Sequence, residues 1–442
     1  MNEFVLTLKS ILFKSSERTI FFTFLSLCIL GGILLFLPVS GTLSFIDALF
    51  LSFSGVCVTG LSVVDISQNM TLVGQFILLL LIQAGGLSIM SISSIIFLML
   101  GRRMSLSYER NARSIFNADS REDIKKSLFL IFKYTFIVEC TGMFILFLRF
   151  LFINYNVIDA LKNSIFIAVS AFCNAGFTLF SENLVKYSDD PIILFTTSFL
   201  IILGGIAPAL AILFPKFLKM EKLSPMLVIV FNTTIALLVV GCIIYFIAEY
   251  NNTLQGMSLI DKIANSWFQS VTTRTAGFNS VDLSNINDIT YALFLFLMVI
   301  GGSPGGMAGG IKTTTFGILI ITCLNTLCGQ KNIVRNKIIS PELINKAITL
   351  ITVYLSIIVI CTIILMATQT ISNKKLLFEV VSAMGTVGLS MGITPYLDIA
   401  GKIVIILTMF LGRILPAILV CYLTSKTNYT SLDYPKAEIL LT

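Results

Sequence analysis

Long apolar stretches alternate with short polar ones along the whole chain. Residues 21–37, 72–100, 192–214, 225–248 and 347–367 are such runs. Each meets or approaches the roughly 20 residues an α-helix needs to cross a bilayer. Between the runs lie shorter segments with helix-start signals. Three begin alike, at Ile46-Asp47-Ala48-Leu49, Ile158-Asp159-Ala160-Leu161 and Ile260-Asp261-Lys262-Ile263. Each Asp follows Ser44, Asn156 or Ser258 by three residues, which is a capping residue with an acid in the first turn. Each short helix is predicted to run into a glycine: Val58-Thr59-Gly60, Asn174-Ala175-Gly176 and Thr275-Ala276-Gly277. A fourth, Thr386-Val387-Gly388, follows a helix predicted to start near Asn373 without the Asp. A serine stands six residues before the glycine at Ser54, Ser170 and Ser382, and seven before it at Ser270.

The same unit therefore recurs four times: outer helix, short re-entrant helix, glycine loop, inner helix. Small residues mark each inner helix at a similar distance, at Gly85-Gly86, Gly204-Gly205, Gly301-Gly302 and Gly412. The predicted fold class is an all-α membrane protein. It has four tandem helix–pore-helix–helix repeats around a central pore, eight transmembrane helices and four re-entrant pore loops. The predicted boundaries are a tail at 1–19, repeats at 20–100, 127–215, 225–328 and 345–424, and a tail at 425–442. The short helices cannot span, and irregular backbone at membrane depth is tolerated only inside protein or along a water-filled path.

Composition agrees with a membrane chain. Of 442 residues, 56% are hydrophobic and 12% charged, against roughly a quarter charged in average soluble domains. The first apolar run follows polar residues and reaches spanning length, which predicts a retained helix rather than a cleavable signal peptide. The net charge of +7 sits in short loops and does not point to nucleic acid. Arg102, Arg103, Arg110, Arg113, Arg121, Lys125 and Lys126 share one loop, Lys216, Lys219 and Lys222 another, and Lys331, Arg335, Lys337 and Lys346 a third. Alternate loops are richer in acid, at Glu182, Asp189, Asp190, Asp282 and Asp288. The positive-inside rule then places the basic loops and both termini in the cytoplasm. The nine cysteines form no C-x-x-C pair and read as small buried hydrophobes, and histidine is absent. That argues against zinc sites and His-based catalysis.

A dehydrated cation needs oxygens in place of its water, and backbone carbonyls supply them without a competing charge. Glycine permits the backbone angles such a loop needs. Four loops give four oxygens per layer, and the short helices aim the negative ends of their dipoles at the centre. Thr386-Val387-Gly388 also matches the start of the potassium-channel filter T-V-G-Y-G.

On these residues the chain resembles the membrane subunit of the Trk/Ktr/HKT potassium transporters, and most of all the bacterial Ktr type. The likeness runs from about residue 21 to 423. It is most specific at Cys57-Val58-Thr59-Gly60-Leu61, at Thr273-Arg274-Thr275-Ala276-Gly277-Phe278 and over residues 301–315. It implies filter glycines at Gly60, Gly176, Gly277 and Gly388. Some sodium-preferring plant relatives carry serine at the first of these, so four glycines imply potassium. The eight long helices fit the Ktr form. The two further N-terminal helices of the Trk form have no place ahead of Phe21.

The third inner helix is interrupted by Gly301, Gly302, Ser303, Pro304, Gly305, Gly306, Met307, Ala308, Gly309, Gly310, Ile311 and Lys312. Each Gly costs a helix about 1 kcal/mol relative to Ala, and Pro about 3. The resemblance implies an intramembrane gate loop at 301–312; a close helix contact through small residues is the plainer alternative. It is not a phosphate loop, because Ile311 stands where the P-loop needs glycine before Lys-Thr. Arg413, inside the last inner helix, is expected near this loop, as a barrier to ions or as a brace. Arg274 is expected to brace the filter. Asp47, Asp159 and Asp261 read as helix-start residues, with ion attraction as the alternative.

The function implied is potassium uptake down the electrochemical gradient, with sodium permeation or stimulation left open. A potential of 100 mV supplies about 2.3 kcal/mol per charge, or roughly fifty-fold accumulation, so no enzyme activity and no cofactor is called for. The alternative is an alternating-access secondary transporter of monovalent cations, although such folds usually show two inverted halves. The resemblance further implies a homodimer in a bacterial cell membrane, and a cytoplasmic ring of nucleotide-binding regulatory domains. The ring's natural docking surfaces are residues 102–126 and 331–346 and the tail after Leu423.

Overall fold

The computed structural model of the protein describes residues 16–87, 121–211, 217 and 224–425. The basic cluster at Arg102, Arg103, Arg110 and Arg113, the lysines at 216, 219 and 222, and the tail from 426 lie outside the described residues. So do residues 1–15 and the second part of the run 72–100. The first group of helices is α1 (Ser16–Phe36), α2 (Phe45–Val56) and α3 (Leu72–Gly86). The second is α4 (Arg121–Phe152), α5 (Val157–Phe172) and α6 (Pro191–Gly205). The third is α7 (Pro225–Glu249), α8 (Leu259–Thr272), α9 (Asp288–Val299) and α10 (Thr313–Leu327). The fourth is α11 (Pro341–Thr368), α12 (Asn373–Gly385) and α13 (Ile399–Ser425).

The short helices start where their caps place them. The Ser44 hydroxyl accepts from the Asp47 N–H at 3.2 Å and donates to the Asp47 carboxylate at 2.6 Å, and Ser258 treats Asp261 the same way at 3.3 and 2.6 Å. Asn156 and Ser372 occupy the corresponding places without a side-chain cap bond. Asp47 also pairs with Lys402 of α13 at 2.7 Å, which ties the first group to the last.

Each group folds on itself and leans on the next. The long helix packs on the short one that follows it: α1 on α2, α4 on α5, α7 on α8, α11 on α12. The inner helix then packs on the short helix of the next group: α3 on α5, α6 on α8, α9 on α12, and finally α13 back on α2. The helices close into a ring. Its outer surface is apolar, and on α7 Ile235, Val239, Ile243 and Ile247 are exposed at four-residue spacing while Leu238 and Tyr245 are buried. A helix apolar on all sides calls for an apolar solvent outside. Among the described residues four helices are long and apolar enough to cross a membrane, namely Lys126–Phe152, Pro225–Glu249, Pro341–Thr368 and Ile399–Val420.

One expectation fails here. The run 192–214, expected as one spanning helix, is not continuous, so the second inner helix is interrupted as well as the third. α6 ends at Gly205, Ile206 is extended, and a short turn follows at Pro208–Ala211. Pro208 disfavours helical geometry at Ala207 and brings no N–H of its own. Beyond α10, β1 (Ile333–Val334) and β2 (Lys337–Ile338) form an antiparallel hairpin. Its two turn residues, Arg335 and Asn336, both have positive φ (49° and 61°), as a tight two-residue hairpin turn requires.

Candidate ion-conduction site

The four short helices end in backbone turns of one shape. Val58, Asn174, Thr275 and Thr386 are left-handed, with φ of 57°, 60°, 71° and 49°. The glycines two residues further on, Gly60, Gly176, Gly277 and Gly388, have φ of 94°, 71°, 79° and 95°. A Cβ at Gly60 would strike the Ala175 carbonyl oxygen, one at Gly176 that of Ala276, one at Gly277 that of Val387, and one at Gly388 that of Thr59. These four close approaches form a cycle. The backbones meet around one point, with the carbonyls of Thr59, Ala175, Ala276 and Val387 set against the next unit's glycine.

A left-handed Val or Thr costs about 1–3 kcal/mol and needs support from its surroundings. Backbone bonds give it: Thr59 N–H to Ser54 O at 2.8 Å, Ala175 to Ser170 at 2.7 Å, Ala276 to Thr272 at 2.9 Å and Val387 to Ser382 at 2.8 Å. Hydroxyls of the same residues add a second hold. Ser54 accepts from Gly60 N–H at 3.1 Å and donates to Leu61 O at 2.7 Å. Ser170 accepts from Phe177 N–H at 2.9 Å, and Ser382 from Gly388 N–H at 3.1 Å. In the third unit Thr272 donates to Phe278 O at 2.7 Å.

The partner in that unit is therefore Thr272 and not Ser270. Ser270 donates to Leu238 O at 2.7 Å, as Ser52 does to Cys28 O at 2.6 Å, and joins the short helix to the long one. The third unit is one residue shorter between its hydroxyl and its glycine. A search for any hydroxyl five to seven residues before the glycine finds Thr272 in the sequence.

Beneath the ring the glycines of three inner helices lie against the short-helix ends. A Cβ at Gly85, Gly204 or Gly412 would collide with the carbonyl of Val56, Phe172 or Met384. The third unit departs from this. Its chain leaves α9 at Val299, crosses as a loop, and re-enters a helix at Thr313, with Gly301 N–H bonded to Ile311 O at 2.9 Å and Ile311 N–H to Val299 O at 3.0 Å. The broken end of α6 receives this loop: Gly205 O accepts from Ser303 N–H and Gly204 O from Met307 N–H, both at 3.0 Å, and the Ser303 hydroxyl accepts from Ala207 N–H at 2.7 Å. Gly302 and Gly306 approach the Gly205 carbonyl, Gly309 lies against the Thr386 side chain, and Gly310 has φ of 62°.

Two buried arginines hold the loop. Arg274 donates to Gly301 O at 2.9 Å. Like Cys57 and Cys173 it stands three residues before its unit's glycine, but the helix-end position that Cys57 and Cys173 fill is taken in the third unit by Thr273, whose N–H bonds to Gln269 O, and Arg274 follows it. Arg413 donates to Met307 O at 2.6 Å and to Gly85 O at 2.9 Å, joining the fourth and first units across the loop. Lys312 donates to Ala308 O at 2.6 Å. Lys312 and Arg413, with Pro304, Gly305, Ile339 and Ala417, line a cavity of about 620 Å³ beside the loop. The hydroxyls of Thr59, Thr275 and Thr386 are buried and have no protein partner. Unpaired buried hydroxyls are expected to meet water or an ion.

The loops outside the ring are also linked. The hydroxyls of Ser67 and Ser181 are 3.2 Å apart, Leu184 N–H bonds to Asn279 O at 3.0 Å, and Lys374 pairs with Asp288. Burial pushes the Asp65 carboxyl up, but hydrogen bonds from Ser181, Ser67 and the Gln68 amide outweigh this and hold it below its ordinary value.

A helical bundle apolar outside, closed around a ring of backbone carbonyls with a loop across it, belongs to the class of membrane proteins that handle ions. A family model described as TrkH, cation transport protein, matches residues 19–217 and 223–429, and the chain belongs to that family. It is 36% identical over 416 residues to the Ktr system potassium uptake protein B of Bacillus subtilis, covering 93% of each chain. It is 35% identical to the potassium/sodium uptake protein NtpJ of Enterococcus hirae, covering 95% of each. Its fold matches the crystal structure of the potassium transporter TrkH from Vibrio parahaemolyticus with a TM-score of 0.72 at 18% identity, over 93% of this chain and 84% of that one.

Proposed function

We propose that the chain is the translocation subunit of a potassium-uptake system in a bacterial cell membrane. Eight helices cross the bilayer, four short helices re-enter it, and both termini are cytoplasmic. Potassium passes down its electrochemical gradient through a filter made by the carbonyls at Val58, Thr59 and Gly60, Asn174, Ala175 and Gly176, Thr275, Ala276 and Gly277, and Thr386, Val387 and Gly388. The observation that carries this reading is the closed cycle of four left-handed turns, each with its carbonyl against the next glycine. The relatives named for potassium uptake support the choice of ion. The loop at 301–312, with Lys312 and Arg413, is the gate.

The chain works as a homodimer with a nucleotide-binding regulatory ring on its cytoplasmic face. The exposed hairpin residues Lys331, Arg335 and Lys337 suit an acidic docking partner. Sodium is the competing or co-transported ion. Potassium and sodium uptake by a transport-deficient strain expressing this chain tests the reading. Concentrative potassium uptake is expected, and expression at the membrane without potassium uptake would refute it.

A further inference from the structure

The short helices of the third and fourth units carry a polar side chain one turn before the hydroxyl that holds the ring. Glu379 lies three residues before Ser382, and Gln269 three before Thr272; the matching positions in the first two units are Leu51 and Ile167. Residues three apart share a helix face. On α12 that face holds the filter loop twice. Ser382 takes the Gly388 N–H, while the Glu379 carboxylate accepts from the hydroxyl of Ser390, two residues beyond the glycine, at 2.8 Å, and from that of Thr394. On α8 Gln269 donates to Ser280 Oγ at 3.3 Å, and its side-chain oxygen Oε1 has no protein partner. The arrangement is parallel, except that one member carries an acid.

Glu379 is fully buried, and among the described residues no lysine or arginine pairs with it. A buried carboxylate without a counter-charge is costly. Glu379 shares its helix face with Ser382, which holds the Gly388 N–H, so on the filter reading the positive charge nearest in the architecture would be a cation at the ring.

We propose that Glu379 is the counter-charge of the cation in the filter, and that the fourth unit carries an acid where the matching positions of the other three, Leu51, Ile167 and Gln269, are neutral. This rests on the reading of the ring as a potassium filter. Glu379 is a positioning and affinity-setting residue: it anchors Ser390 and Thr394 and deepens the well for the ion. Gln269 holds the same position in neutral form.

The test is initial-rate potassium uptake into proteoliposomes containing the full chain, at a fixed membrane potential, with thermal unfolding measured on the same preparations. Glu379→Gln keeps the shape and removes the charge. It is expected to raise the potassium concentration for half-maximal uptake on the order of tenfold, with the maximal rate and unfolding temperature nearly unchanged. Glu379→Asp is expected to recover most of the affinity. Gln269→Glu adds a second charge at the matching position and is expected to lower half-saturation. An unchanged half-saturation in Glu379→Gln, or a loss only in maximal rate and unfolding temperature, would mean a brace alone. Should Glu379→Gln fail to fold, Gln269→Glu decides: an unchanged or higher half-saturation overturns the proposal. If the wild-type chain takes up no potassium, the failure belongs to the filter reading itself.

Discussion

In the ring at Gly60, Gly176, Gly277 and Gly388 all four units do the same thing; in the layer beneath, one unit does what the others do not. Each unit of the ring contributes a left-handed residue, a carbonyl, a glycine and a hydroxyl brace, and each meets its neighbour in the same way. In the lower layer Gly85, Gly204 and Gly412 sit against the short-helix ends, while residues 300–312 cross as a loop. Equal backbone contributions suit a fixed cage for one ion, with a carbonyl offered from every unit. The single glycine-rich segment is fastened by backbone bonds and by Arg274, Lys312 and Arg413, and on the proposed function it is the part that moves. On the proposed function, selection belongs to the upper layer and control to the lower one.

Breaking the upper layer is expected to have the largest effect. Gly60→Ser and Gly388→Ser place a Cβ against a neighbouring carbonyl and strain a backbone with φ of 94° or 95°. Each is expected to reduce the potassium-to-sodium uptake ratio by about tenfold or more, which corresponds to roughly 1.4 kcal/mol. Side-by-side flux assays with potassium and sodium read this, and an unchanged ratio at normal expression counts against the cage.

Removing residues 303–308 from the lower layer comes next. Potassium flux is expected to rise several-fold while the potassium-to-sodium ratio holds. Arg413→Ala is expected to act in the same direction more weakly. A unit charge about 6 Å from the ion opposes it by roughly 2.8 kcal/mol at an effective dielectric of about 20. The same change frees Met307 O and Gly85 O, which lowers stability, so flux per folded protein is the quantity to measure. The smallest effect is expected at Thr272→Val, which removes one bond to Phe278 O and about 1 kcal/mol of stability, visible as a lower unfolding temperature with selectivity slightly reduced.

Most of the upper layer was legible because its signals are local. Capping residues before Asp47 and Asp261 start two of the short helices, and a glycine turn follows the end of each of the four. Spacing from the glycine points to Ser270, whereas the third unit is one residue shorter and uses Thr272. The lower layer depends on contacts between distant segments. Nothing near Gly204 or Gly205 announces that their carbonyls receive Ser303 and Met307. Pro208 is the local signal of the break in α6, masked by the apolar residues on either side of it. A single acid in a short helix forms no pattern, and only the bonds to Ser390 and Thr394 set Glu379 apart.

The central claim is that selection and control lie in separate layers, and one paired measurement tests it directly. Potassium and sodium fluxes through Gly60→Ser and through the chain lacking residues 303–308 are compared in the same vesicles, each normalised to folded protein. The account predicts a lower potassium-to-sodium ratio in the first, and a higher potassium flux at a wild-type ratio in the second. A shortened chain that folds, reaches the membrane and carries less potassium than wild type would contradict it, and the loop would then be a structural support instead of a gate.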